Sequence, residues 1–268
     1  MVRRCFVRLC SAVLLVCAIA CAARPAAGEN VAVRRLQGTF HGFLILKTLA
    51  GKVLASGDLV QVAQGEQITT RLTYRFRDGS LDDETAVFSQ RKVFQLISDH
   101  HVQRGPSFPK PIDMQIELAS GQVTMRDKDG KATVEHMDLP PDLCNGLPLI
   151  LMLNLSRADS AIRLPMLVPV PKPRLIHLVI TPEGEDPLSI GGIRHKAVNY
   201  RIKVELGGIA GVVAPIVGKQ PADLHIWILA GDAPAFVREE GEFYEGGPVW
   251  RVELAAPVFP RTVNATQK

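Results

Sequence analysis

Two short runs hold most of the side chains in this sequence that could do chemistry: Asp82-Asp83-Glu84 and Asp99-His100-His101. Imidazole and carboxylate together suit a divalent metal ion or an acid–base pair. If two adjacent strands carry the runs and pair as a hairpin, both runs lie toward the same end. Geometry argues against a metal there. Successive residues of a strand point to opposite faces, so His100 and His101 cannot both serve one ion without a bulge. The acidic run also follows the Asp78-Gly79 turn, where charge is ordinary solvation. A metal-dependent enzyme therefore ranks behind the non-enzymatic readings.

No other catalytic pattern competes. The chain has no G-x-S-x-G elbow, no H-E-x-x-H, no Walker loop and no dinucleotide fingerprint. Asp127-Lys128-Asp129-Gly130 is too short a ligand series for a calcium hand and reads as a turn. His41, His136, His177, His195 and His225 are isolated at strand positions, as surface or structural histidines are. Cys144 sits in an apolar stretch without a nearby Lys, Arg or His, which marks a small buried side chain rather than a reactive thiol.

Aromatic and apolar residues offer a different chemistry. Trp227 with Phe236, and Phe243-Tyr244 with Trp250, fall in late strands and either pack a sheet core or line an apolar cavity. The candidate ligand-binding residues are Met152, Leu155, Trp227, Phe236 and Trp250. No catalytic residue, metal ligand or cofactor is assigned.

These residues need a frame, and the frame is β. From Leu36 to Val134 apolar and polar residues alternate between turn signals, the pattern of antiparallel strands. Strands are predicted at Thr39–Leu49, Val53–Ala63, Ile68–Arg77, Thr85–Ser89, Val93–Val102, Asp113–Leu118, Gln122–Arg126 and Ala132–His136. Ile68, Leu72, Tyr74 and Phe76 form an apolar row while Arg71, Arg75 and Arg77 take the other parity. One helix is predicted, over Pro141–Arg157, with Asp142 accepting at its N-terminus and Pro148 as its weak point. Leu164–Arg174 reads as an extended border or crossing. Strands resume at Leu175–Thr181, Val198–Leu206, Leu224–Leu229, Phe236–Glu239 and Val249–Leu254. The glycine-rich stretch from Gly207-Gly208 to Gly218 reads as a flexible turn.

The first 28 residues address the chain. Arg3, Arg4 and Arg8 precede an apolar run from Leu9 to Ala23 and then small residues, the order of a secretory signal peptide. Cleavage after Gly28 is expected, with lipidation at Cys21 as the second route. Ala18-Ile19-Ala20-Cys21 loosely resembles a lipoprotein box but has Ala where Leu is usual. Residues 1–28 carry four basic residues and no acid, so the rest balances 27 Lys+Arg against 27 Asp+Glu. The sequence pI of about 8.9 thus reflects the leader, and without a clustered positive surface nucleic-acid binding is not expected. Four of the five cysteines lie in the leader, leaving no internal disulfide to form. The apolar run at Leu147–Leu155 is too short for a bilayer core of about 30 Å.

The predicted organisation is a signal peptide over 1–28, a single β-rich domain over 29–261 and a polar tail over 262–268. The fold class is mainly β, a curled antiparallel sheet (half-barrel or barrel) wrapped round one buried helix. The meander at Phe40–Val134, the segment DLPPDLCNGLPLILMLNL at Asp138–Leu155 and the closing ADLHIWIL…FYEGGPVWRVEL resemble uncharacterised bacterial envelope proteins. They are more distantly similar to the half-barrel of periplasmic lipoprotein carriers. That resemblance implies a sheet curled round a helical plug, able to hold acyl chains, in an exported periplasmic protein. The expected partner is a lipid or other apolar small molecule. A structural or assembly role in the envelope stays open as the alternative.

Overall fold

The computed structural model describes residues 30–155, 158–169, 172–190, 193–207, 221–231 and 233–255. The predicted leader, Cys21, residues 208–218 and the polar tail lie outside the described residues. Fourteen strands form one sheet: β1 Phe40–Thr48, β2 Val53–Gln64, β3 Gln67–Phe76, β4 Leu81–Gln90, β5 Phe94–Arg104, β6 Ile112–Glu117, β7 Gln122–Arg126, β8 Ala132–His136, β9 Ile162–Val168, β10 Arg174–Ile190, β11 Ile193–Glu205, β12 Leu224–Leu229, β13 Phe236–Glu242 and β14 Val249–Leu254. A six-residue helix, α1, spans Pro148–Leu153.

The order across the sheet is β8-β7-β6-β5-β4-β3-β2-β1-β14-β13-β12-β11-β10-β9, every neighbour antiparallel. Two meanders therefore meet where β1 pairs with β14, with Leu46 opposite Val252 and Thr48 opposite Trp250. β8 and β9 are the two edges of the sheet, and the segment carrying α1 runs between them.

Alternation decides the inner face. In β3, Ile68, Thr70, Tyr74 and Phe76 are buried while Arg71 and Arg75 are exposed, the pattern of a strand wet on one side. Register shifts at Leu46/Lys47, Val87/Phe88, Pro182/Gly184 and Trp227/Ile228 bend the ladder. Each inserted residue adds local twist and helps the sheet curl.

The curl encloses α1. Ile150, Leu151 and Met152 belong to one apolar cluster with Ile68, Phe88, Leu96 and Ile116 from one half of the sheet and Leu164, Ile180, Ile202 and Ile226 from the other. Burying a side chain of this size contributes about 1.5–3 kcal/mol. Packing of this kind sustains a helix far shorter than one stable alone.

The predicted helix over Pro141–Arg157 is thus much shorter than expected. Pro148 lacks an N–H and its ring excludes a preceding helical turn, so it is accommodated at the first helical position. Pro140–Leu147 instead forms turns, with Leu143 N–H donating to Pro140 O and Leu147 N–H to Cys144 O. Asp142 does not cap the helix; it is buried before it, and Leu147 occupies the N-cap without a side-chain cap.

The extended stretch at Leu164–Arg174 supplies β9, the edge strand. Pro165 is tolerated because its side of the ladder faces the connecting segment: its carbonyl accepts from Cys144 N–H at 2.9 Å. Asn145 continues this coverage two residues on, donating to Leu167 O at 2.9 Å and accepting from Leu167 N–H at 2.8 Å. Cys144 is fully buried, and burial raises its thiol pKa far above the ordinary range.

Candidate ligand cavity

A bulge builds the polar part of the interior. Phe94 and Leu96 of β5 point inward and pair toward β4 in ordinary register, Leu96 opposite Phe88. The next pair is Ser98 opposite Val87, which leaves Ile97 as the extra residue. Inward parity then switches from even to odd, so Asp99, His101 and Gln103 face the interior beside Asp82 and Glu84. Without that one residue, His100 would have taken the inner position.

The two acidic and histidine runs are brought together and divided between faces. Inside, His101 Nε2 lies 2.8 Å from Asp82 Oδ1, and Gln103 Nε2 donates to Asp82 Oδ2 at 3.1 Å and to Phe243 O at 2.9 Å. Outside, His100 Nε2 lies 3.0 Å from Asp113 Oδ1, while Asp83 accepts from Arg71 and Thr73. The acidic run follows the Asp78-Gly79 turn as expected but lies within β4, so Asp82 and Glu84 belong to the interior and not to a solvated loop. Among the described residues no group of three or more His, Cys, Asp or Glu is placed to hold a metal ion.

Between this polar layer, the sheet and α1 lies a cavity of about 360 Å³. Its walls are mostly apolar: Leu44 and Leu72 from the first meander, Met166, Ile226 and Phe236 from the second, and Leu149 from α1. Phe40 borders it and remains 42% exposed, which places the rim at that end of β1. At the opposite end Phe76, Phe108, Phe243, Tyr244 and Trp250 pack ring against ring, with centroids 5.2–6.4 Å apart. Such edge and tilted contacts add to area burial.

Ionisable groups reach the cavity from β3, β4 and β13, while the neutral Gln61 and Thr70 border it nearer the Phe40 rim. Tyr74, Glu84 and Glu239 border it from β3, β4 and β13, and Glu242 lies further along β13. Tyr74 is 3% exposed. Among the described residues no Arg or Lys pairs with Glu84 or Glu239, and the Tyr74 hydroxyl has no hydrogen-bond partner.

The electrostatics follow from burial. Glu239 is pushed up to about 7 by burial and then by the nearby Glu84 and Asp82. Glu84 rises through burial, with Asp82 adding to the rise and His101 opposing it. Asp99 rises well above the carboxylate range for the same reason, and both of its oxygens lack a partner. Burial alone would lower the His101 pKa. The hydrogen bond to Asp82 and the charges of Glu84, Asp82 and Asp99 more than offset that and bring it to about 9. One imidazolium thus stands among four interior carboxyl groups.

Of the five candidate ligand residues, Phe236 lies on the cavity wall. Met152 is fully buried in the core cluster, and Trp250 is part of the aromatic end cap. Leu155 borders a second, smaller pocket of about 170 Å³ with Arg35 and Tyr200. Trp227 faces away: it sits on the parity opposite Ile226, donates from Nε1 to Asp186 at 2.8 Å and lies under the Arg238 guanidinium. The five do not form one site.

Tyr74, Glu84 and Glu239 were not among the candidates. The first two carried a signal: Glu84 shares parity with Ala86 and Phe88, and Tyr74 with Ile68. Glu239 carried none, because the Trp227/Ile228 shift sets the parity of β13.

Together these features define the class: an all-antiparallel open sheet curled round a short helix, with an apolar internal cavity and a carboxylate-lined floor. No family model matches the chain, and no curated protein matches it. Among solved structures it is similar to a beta-barrel-like protein of domain of unknown function DUF1849 from Brucella abortus. That likeness has a TM-score of 0.47 and 9% identity over 81% of this chain and 96% of the other. Among the described residues no helix is long and apolar enough to cross a membrane.

Proposed function

We propose that this protein is a non-enzymatic binding module, exported to the periplasm, that holds a lipid acyl chain or similar apolar ligand inside its curled sheet. The observation that carries this reading is the cavity of about 360 Å³, walled by aliphatic and aromatic side chains from both meanders and from α1. Its size falls within the range of small-molecule sites, about 300–1,000 Å³, and its few ionisable side chains, Tyr74, Glu84, Glu239 and Glu242, stand away from the Phe40 rim, as in sites that orient a ligand. The signal-like leader and the sequence resemblance to periplasmic lipoprotein carriers support the same cargo class and compartment.

The test is direct. Delipidated protein is expected to bind a fluorescent acyl-chain probe, and Leu149→Trp, which fills the cavity from α1, is expected to weaken binding at least tenfold while the protein still unfolds cooperatively. Wild-type protein that binds no acyl-chain probe would overturn the reading.

One observation favours the alternative of an assembly partner. β8 is an edge strand with residues 132–134 exposed and Val134 presented to solvent, and such an edge can pair with another chain. Crosslinking in cells that recovers a reproducible partner through β8 would support it.

A further inference from the structure

The floor of the cavity says which end of a ligand it receives. We propose that the ligand is an amphiphile with a cationic, hydrogen-donating nitrogen headgroup, such as a protonated alkyl amine, whose head sits against Glu84, Glu239 and Tyr74. The inference rests on the reading of the cavity as an apolar-ligand site and adds the headgroup to it.

Three observations point the same way. First, charge around the floor is unbalanced. Asp82 and Glu84 of β4, Asp99 of β5 and Glu239 of β13 surround His101 as the one base in this cluster, with Tyr74 bordering the cavity from β3. In a low-dielectric interior a positive headgroup would be attracted far more strongly than in water.

Second, the buried β5 atoms of this cluster that lack a hydrogen-bond partner are carboxyl and amide oxygens. Asp99 is 1% exposed, and both its carboxyl oxygens lack a partner, as does Gln103 Oε1. The Gln103 amide is oriented by its two donor contacts, to Asp82 and to Phe243 O, so its free atom is the oxygen. A buried acceptor without a donor costs free energy, and an ammonium group brings three donors and no acceptor.

Third, Asp99 stands directly behind the cavity wall. Gly146, which borders the cavity, has φ 65°, and a Cβ there would lie 3.1 Å from Asp99 Oδ1 and 2.4 Å from Ala86 Cβ. The missing side chain lets the Asp99 carboxyl pack against Gly146, which itself borders the cavity. The carboxyl pKa values are raised first by burial and then by the neighbouring carboxyl groups, with His101 opposing the rise at Glu84 and Asp99.

Dodecylamine, dodecanol and dodecanoate share one tail and differ only in the head. Their binding to the delipidated full chain is compared by calorimetry, below micelle-forming concentrations. The amine is expected to bind at least tenfold more tightly than either of the others. Glu84→Gln combined with Glu239→Gln is expected to bring the amine down to the level of the alcohol, with cooperative unfolding retained. Equal binding of all three, tightest binding of dodecanoate, or an amine preference that survives both Gln substitutions would overturn the headgroup assignment and leave the apolar cavity standing. Binding of none would overturn the cavity reading, and the headgroup assignment with it.

Discussion

His101 bonds Asp82 inside the curl at 2.8 Å, while its neighbour His100 bonds Asp113 on the outer face at 3.0 Å. Two adjacent residues of one type thus occupy different electrostatic worlds. His101 has its pKa raised to about 9. A group whose folded pKa lies above its unfolded value of about 6.5 stabilises the fold fully below that value. This stabilisation is lost as pH rises through about 9. His101→Gln is expected to flatten the stability–pH curve between about pH 6.5 and 9. Urea titrations at several pH values check this. A curve for His101→Gln that keeps the wild-type slope would contradict it.

Glu239 acts in the same direction by the opposite chemistry. Its folded pKa of about 7 lies above the ordinary glutamate value, so its protonated form is favoured in the fold. Its contribution is complete below about pH 4.5 and is lost as pH rises through about 7. Glu239→Gln keeps the shape and removes the charge. The variant is expected to be more stable than wild type above pH 7, by on the order of 1 kcal/mol or more, and little different at pH 4. Thermal unfolding at both pH values separates this from a general change in packing.

The strand framework was largely legible because alternation and turn residues are local signals. β7, β8, β12 and β14 fall at the predicted residues, and Asp78-Gly79 turns β3 into β4 as expected. What escaped the sequence depends on register. A single extra residue, Ile97, carries Asp99 and His101 inward, and nothing in its side chain announces the shift. The pairing of β1 with β14, which joins the two meanders and places Trp250 in the end cap, is a long-range choice with no local marker. α1 shows the same limit from the other side: apolar composition suggested a long helix, and Pro148 instead sets the start of a six-residue one.

Gly146 is the position where backbone and cavity constrain each other. Its φ of 65° is costly for any residue with a side chain, and a Cβ would come within 2.4 Å of Ala86 Cβ. A strained backbone of this kind costs about 1–3 kcal/mol, and the clash adds to it. Gly146→Ala is expected to destabilise the protein by about 2 kcal/mol or more. Adding Ala86→Gly relieves only the clash, so the double variant is expected to lose less than the two single changes together. Strict additivity would show that the two positions do not press on each other.

Asn145 protects an edge of the sheet. Its side chain is 2% exposed and makes both hydrogen bonds that a neighbouring strand would offer Leu167. Asn145→Ala would leave the Leu167 N–H and C=O of β9 without partners, at about 1–3 kcal/mol for each buried group left unsatisfied. The loss is local before it is global, because the other side of β9 stays paired with β10. Hydrogen exchange at the Leu167 amide is expected to speed up markedly in the variant while Ile180, in the core of β10, keeps its protection. A freed edge is also a template for pairing with another chain, so concentration-dependent association is expected to accompany the faster exchange. Wild-type exchange at Leu167 in the Asn145→Ala protein would mean that the connecting segment covers β9 without this side chain.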